Sequence, residues 1–560
     1  MRDIQRVLLG STALFAATGV ARAADLPIKA AVPIEYVRVC TAYGAGFFYI
    51  PGTETCLRVS GRARYEMGYL SPGSRNAAGA GDTTQYRGLA RFSLDARTQT
   101  SYGTLRAFLR LEAASRTGES KMASGTQLRI GNAYTATGQD QYGRTQTYIV
   151  PDKAFVQFAG LTAGRASSFF DFYAHDYEII GSSLGSDVAS TNLLAYTQLF
   201  GEGFSATVSM EDPSFRKNPV YSASYAASTT AGSAASALTA TTAPTPIILG
   251  TNAAGNATAV AFVDAVERTR MPDFVGALRY DAPWGSAQIS GAVRAISIGG
   301  FTGQTLYSAS GTYATATTLS SATAAALYAA RGISSGAQTD YGWAIQGGLK
   351  LNLPFIAPGD GLYLQGAYGE GSAMYTGITS FTGSYLSNAT VFPGNAFNQY
   401  LSDAIVNPLT GKLELSTSFT VVASYLHYWA PEWRSAFYGS YGEIAFSQAA
   451  RQAVSQTAAL IGAANTVAPA SYLTNALGYG YSAALRDTSQ IVTGASLIWS
   501  PVKDLDIGVE GQYIRTALKS GKAYNADKTG TVTVNGVSVP LYPVSAEDTF
   551  QARFRVQRDF

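Results

Sequence analysis

The sequence predicts an all-β chain: a sixteen-stranded antiparallel β-barrel that crosses a membrane on its strands. Three observations predict it. Apolar and polar residues alternate with a period of two over stretches of about ten residues. Such stretches recur an even number of times along the 560 residues. Short connections rich in Gly, Pro and Asp alternate with long ones, as in barrels with short turns at one end and long loops at the other.

The first strands show the pattern most clearly. In "LRVSGRARYEMGY", Leu57, Val59, Ala63, Tyr65, Met67 and Tyr69 share one parity, and Arg58, Arg62, Arg64 and Glu66 the other. In "YRGLARFSLDAR", Tyr86, Ala90, Phe92 and Leu94 oppose Arg87, Arg91, Asp95 and Arg97. In "TLRAFLRLEA", Leu105, Ala107, Leu109 and Leu111 oppose Arg106, Arg110 and Glu112. All eight arginines take the polar parity. Thirteen further strands are expected near 150–159, 162–167, 191–200, 204–212, 271–281, 286–297, 339–353, 362–373, 416–429, 433–445, 488–500, 505–518 and 546–560.

Alternation alone does not say which face points outward. Width decides. Sixteen strands enclose more space than side chains fill, so the interior is wet and the apolar face meets lipid. Tyr65, Tyr69, Tyr86, Tyr280, Tyr341, Trp343 and Trp499 then serve as interfacial girdle residues. In the closing "TFQARFRVQRDF", Phe554 and Val556 face lipid while Arg553 and Arg555 face water.

Composition narrows the function classes. Charged residues are 14% of the chain, against about 25% in soluble proteins. A net charge of +3 gives no reason to expect a nucleic acid partner. Two histidines and two cysteines leave little for a metal site, a cofactor or acid–base catalysis, so no enzyme is expected. His175 and His427 fall on separate segments, with no G-x-S-x-G motif near either.

The N-terminus carries Arg2 and Arg6, then "VLLGSTALFAATGV" and Ala21-Arg22-Ala23. That is the layout of a secretory signal peptide over 1–23, cleaved after Ala23. Export makes a Cys40–Cys56 disulfide the expected state, in a 24–56 segment ahead of the barrel at 57–560. Closing so short a loop stabilises by ~3 kcal/mol in the chain-entropy model; two free structural thiols are the alternative. The longest loops lie at about 213–270, 298–338, 374–415 and 446–487. Residues 218–263 and 295–330 hold no charged side chain, and are either flexible insertions or extra hairpins above the barrel.

Six stretches carry a family resemblance: "ADLPIKA", "EYVRVCTAYGAGFFYIPGTETCLRVSG", "FVQFAGLTAGRASSFFDFYA", "HYWAPEWRSAFYGSYG", "LIWSPVKDLDIGVEGQYIRT" and "RVQRDF". With them the chain resembles the alphaproteobacterial general porins of the Brucella and rhizobial type. The resemblance implies a homotrimer in the bacterial outer membrane, passing small hydrophilic solutes by passive diffusion. It implies that the third long loop folds inward, carrying Asp171, Asp176, Glu178 and Asp187 toward the arginines of the first three strands. It also makes Phe560 part of the signal read by the barrel-assembly machinery. Two rivals stand beside that reading: a surface-display or adhesion barrel whose lumen is incidental, and arginines that merely pair with Glu66, Asp95 and Glu112 to brace the wall.

Overall fold

The computed structural model describes residues 38–560 apart from 71–83, 119–145, 188–189, 219, 222–244, 254–256, 308–316, 334, 379–387, 391–397, 455–484, 525–530, 535–536 and 541–542. The expected signal peptide and most of the 446–487 loop lie outside the described residues.

Sixteen strands close into one antiparallel barrel. They are β1 (Cys56–Leu70), β2 (Thr84–Thr100), β3 (Gly103–Gly118), β4 (Gln146–Phe158), β5 (Leu161–Ala166), β6 (Thr191–Gly201), β7 (Phe204–Glu211) and β8 (Asp273–Ala282). The second half comprises β9 (Gly285–Ile298), β10 (Gln338–Asn352), β11 (Gly361–Glu370), β12 (Thr417–Ala430), β13 (Trp433–Ala445), β14 (Thr488–Val502), β15 (Leu505–Leu518) and β16 (Ala546–Asp559). Each pairs with the next, and β16 returns to β1 in a register running from Arg62↔Asp559 to Leu70↔Gln551. Every expected strand has its counterpart. The differences are in length: β2 extends beyond 86–97 to Thr84–Thr100, and β3 beyond 104–113 to Gly103–Gly118.

Six of the short connections are two residues long. In the β4–β5 turn Ala159 and Gly160 have φ of 49° and 87°, and in the β6–β7 turn Glu202 and Gly203 have 49° and 88°. Two consecutive positive φ angles are the pattern of type I′ turns, whose twist matches that of the strands they join.

Exposure settles the direction of the two faces. Leu109 is 48% exposed, Val208 65% and Leu278 59%, whereas the interior-facing Gln346 and Gln512 are each 1% exposed. This inversion of a soluble protein is what a lipid-facing wall around a polar interior requires. Of the seven proposed girdle residues, Tyr65, Tyr69, Tyr86, Tyr341, Trp343 and Trp499 are exposed, and Tyr280 is half-buried against Phe204. At the short-turn end Trp433 stacks on Trp499 with ring centroids 5.8 Å apart.

Below β1 the described residues begin with a hairpin. Phe47–Tyr49 pairs with the first residues of β1, Cys40 and Cys56 are joined by a disulfide, and Phe47 is buried with them.

The charge-poor loops build structure of their own. Thr245–Thr251, Ala257–Val263, Phe301–Tyr307 and Thr317–Thr318 form a four-stranded sheet, flanked by helix α1 (Ser321–Arg331). Val220, Ile247, Val263, Ile296, Ile298 and Val406 belong to one buried cluster beneath it. Ser320 caps α1 by accepting from the Thr323 N–H, and Gly332 ends it in the left-handed conformation.

Candidate functional site: the lumenal constriction

The loop after β5 enters the barrel and is tethered to two of its walls. On one wall, the Ser290 hydroxyl and the Gln346 side-chain amide both donate to the Phe170 carbonyl at 2.8 Å. The Tyr173 N–H donates to Gln365 Oε1 at 2.9 Å. On the other wall, the N–H groups of Ile179 and Ile180 donate to Glu510 at 2.6 and 2.8 Å. Further along, Ser182 Oγ donates to Gln512 and the Leu184 N–H donates to Ser440. Loop backbone leaving a sheet must find partners elsewhere, and here lumenal side chains of β9–β11 and β13–β15 supply them. The third long loop therefore lies across the lumen, leaving open the side lined by β1–β4 and β16.

What remains open is a cavity of about 510 Å³. Its wall side presents Arg62, Arg64, Arg91, Arg110, Lys153 and Arg555; its loop side presents Asp176, Glu178 and Asp187. Most of the wall charges are paired within the wall. Arg62 meets Asp559 at 2.5 Å, Arg91 meets Glu112 at 2.9 Å and Arg110 meets Asp152 at 3.4 Å. Arg64 donates to Gln557 Oε1 at 2.6 Å. Glu112 and Asp152 line the cavity too, so the basic wall is a row of dipoles with a cationic excess.

Four of the eight expected arginines, Arg62, Arg64, Arg91 and Arg110, thus come together at the constriction. The other four do not. Arg87 is buried against Glu66. Arg97 and Arg106 share Asp95 at 2.7 and 2.9 Å, closer to the short-turn end. Arg97 also lies over the Phe47 ring of the N-terminal hairpin. Arg58 does not line the cavity either. The expected braces Glu66, Asp95 and Glu112 are therefore all engaged by arginine.

The four loop acids also divide. Asp176 is exposed at the cavity and accepts from the Tyr363 hydroxyl at 3.1 Å. Asp187 is half-buried, with His175 Nε2 at 3.7 Å. Glu178 reaches the cavity edge, but its carboxylate turns into the loop, accepting from Tyr173 OH at 2.9 Å and from Ser183. Burial opposes its ionisation, yet the neighbouring His175 and the hydrogen bonds from His175, Ser183 and Tyr173 outweigh that and hold it below the usual carboxyl range. Asp171 is not at the constriction. It faces away and pairs with Arg216 at 2.6 Å.

Three cationic members of the site, Lys153, Arg434 and Arg555, lie outside the pattern of the first three strands. Arg555 has the right parity but sits almost five hundred positions from Glu66, which it meets at 2.6 Å. Closure of the ring makes them neighbours.

The chain matches the family described as "Porin subfamily" over residues 25–537. Porin Omp2b of Brucella suis biovar 1 (strain 1330) and of Brucella abortus (strain 2308) are each 37% identical to it over 220 residues, covering 37% of this chain and 54% of theirs. The chain therefore spans about half the length of these curated relatives. Among solved structures, the outer membrane channel DcaP of Acinetobacter baumannii has a TM-score of 0.46 at 12% identity, covering 91% of this chain and 99% of that one. The anion-selective porin from Comamonas acidovorans has a TM-score of 0.37 at 11% identity, covering 90% and 100%. The barrel is one of the outer membrane, and the chain belongs to the porin subfamily.

Proposed function

We propose that the chain forms a water-filled pore through which small hydrophilic solutes and ions diffuse passively. The observation that carries this reading is the open cavity between the basic wall and the acids of the inward loop. A solute crossing it passes between Arg62, Arg64, Arg91 and Arg110 on one side and Asp176 and Asp187 on the other. Rings of fixed charge at a constriction select ions, and low-dielectric walls concentrate the field. Two opposite charges ~8 Å apart interact by only ~0.5 kcal/mol in water-like surroundings. The pore therefore biases traffic without binding it tightly.

Residues 1–23 direct export and are removed, and Cys40–Cys56 ties the 24–56 segment beneath the barrel. Phe560 is read during assembly by the barrel-assembly machinery, and the working form is a homotrimer embedded in lipid.

The test is conductance in planar bilayers. Wild-type chain should insert as stepwise, ohmic channels. Changing Arg62, Arg91 and Arg110 together to Ser removes the guanidinium charges that face Asp559, Glu112 and Asp152, so reversal potential in a salt gradient should move toward cation preference. The shift should fade near 1 M salt, where the Debye length is ~3 Å. An assembled triple variant with an unchanged reversal potential would mean that these arginines only brace the wall.

A further inference from the structure

We propose that the lumenal wall carries an oxyanion-binding site at the row formed by Gln85 of β2, Gly68 of β1 and Arg553 of β16. Gly68 pairs in register with Gln85 on one side and with Arg553 on the other. Having no side chain, it leaves the space between its two neighbours unfilled by its own row. Both neighbours are buried, Gln85 at 4% and Arg553 at 5% exposure. Among the described residues, Gln85 Nε2 and Arg553 Nη1 are enclosed donors with no hydrogen-bond partner. An unpaired donor at such depth is costly, and an unpaired charge more so.

The adjacent row deepens the imbalance. Glu66 stands in register between Arg87 and Arg555. It accepts from Arg555 Nε at 2.8 Å, pairs with Arg87, and has Arg64 at 3.9 Å. The other carboxylate within reach is Glu510, which faces Arg553 across the β15–β16 register. It is already committed to the Ile179 and Ile180 N–H groups and to Tyr438 OH. Among the described residues, the three guanidiniums of Arg64, Arg553 and Arg555 thus outnumber the two carboxylates, even leaving Arg87 aside, and the excess is cationic. Every spare group is a donor and the surplus charge is positive. A ligand that answers both presents acceptor oxygens and carries negative charge, which describes phosphate or a phosphate monoester. A neutral sugar would leave the charge, and a cation would add to it.

Parity fixes the source. Gln85 and Arg553 lie on the face opposite the exposed Tyr86, Met67 and Phe550, so the anion comes from the lumen rather than from a lipid headgroup. Along β1 the site lies on the long-loop side of Arg62 and Arg64, so an anion arriving from that side meets it before the constriction. This role in loading the pore rests on the proposed function; binding itself does not.

The experiment is calorimetric titration of inorganic phosphate into the purified, folded full chain at constant ionic strength, beside planar-bilayer conductance of the same preparations. Wild type should show saturable phosphate binding. Arg553→Met should weaken it at least tenfold, Gln85→Leu less, and Arg553→Lys, which keeps the charge and loses the fork, to an intermediate degree. Arg515→Met, at an exposed pair with Asp548, should leave it unchanged. Absence of saturable binding in wild type, or an unchanged affinity in an assembled Arg553→Met variant, overturns the site. Should phosphate bind while no current passes, the site stands and the pore reading fails. Should current pass without saturable binding, the pore reading stands and the site fails.

Discussion

Arg216 shows how far the role of a charge depends on what lies behind it. Its side chain is 1% exposed and meets Asp171 at 2.6 Å. It donates to Ser186 at 2.8 Å and lies 4.5 Å over the Tyr375 ring. Asp171 and Ser186 stand near the two ends of the inward loop, so one guanidinium from the loop after β7 fastens both. Sequence alternation could not reveal this, because Asp171 lies in a segment without period and its partner is 45 positions away. Asp176, nearer the loop centre, and Asp187, at its far end, do reach the cavity. Removing one member of a buried pair typically costs about 3–5 kcal/mol, because the other is left charged and unpaired. Arg216→Met should therefore loosen the loop rather than neutralise the pore. The expected result is a larger and noisier single-channel conductance with little change in reversal potential. If conductance stays at the wild-type value while reversal potential moves, Arg216 acts on permeating ions and the anchoring role is wrong.

At the scale of elements, the barrel depends on the seam between its first and last strands. Gly61 and Phe560 exchange both backbone hydrogen bonds, at 2.9 and 3.1 Å, continuing the β1–β16 ladder to the final residue. The Phe560 ring lies where a Gly61 side chain would stand, so any Cβ there meets the ring and the Arg91 carbonyl at 2.8 Å. Gly61 has the outward parity of Val59 and Tyr65, and the ring covers its bare face at the rim. Gly61→Val should thus impair closure much as deleting Phe560 would, with several-fold less folded, heat-modifiable barrel in the outer membrane. If Gly61→Val assembles normally while the deletion does not, Phe560 works through recognition and not through packing. All sixteen strands were legible because a wall between lipid and water imprints alternation on every strand it contains. Neighbours around the ring were not. Arg555 beside Glu66, or Lys153 beyond the register shift between Arg110 and Leu111, become visible only once pairing is known.

Taken as a whole, the molecule is a barrel on which the described segments of the loops after β7, β9 and β11 form a folded body that reaches the inward loop. Segments without charged residues suggested either flexibility or extra hairpins. The hairpins form because Ile247, Leu249, Ala261 and Val263 can bury against Ile296, Ile298 and Val406, leaving nothing that needs water. Polar links then join this body to the lumen. Asp403 accepts from the Asn218 and Ala373 N–H groups at 2.8 Å each and pairs with Arg294, which also holds Glu267 at 2.6 Å. Ala373 begins the short helical turn of Ala373–Thr376. Its Tyr375 ring packs edge-on against Phe170 of the inward loop, with centroids 4.9 Å apart. The cap and the constriction therefore behave as one mechanical unit. Ile247→Asp places an unpaired carboxylate in the cluster, a change costing several kcal/mol, at a position remote in sequence from the loop that narrows the pore. Limited proteolysis should then cut within 245–333 much faster than in wild type, while the barrel keeps its heat-modifiable mobility. Single-channel records of the same variant should show more frequent transitions between conductance levels, as the 371–378 segment loses its support. If the cap becomes protease-sensitive and the records stay as quiet as those of wild type, the outer body only rests on the pore and the mechanical coupling is refuted.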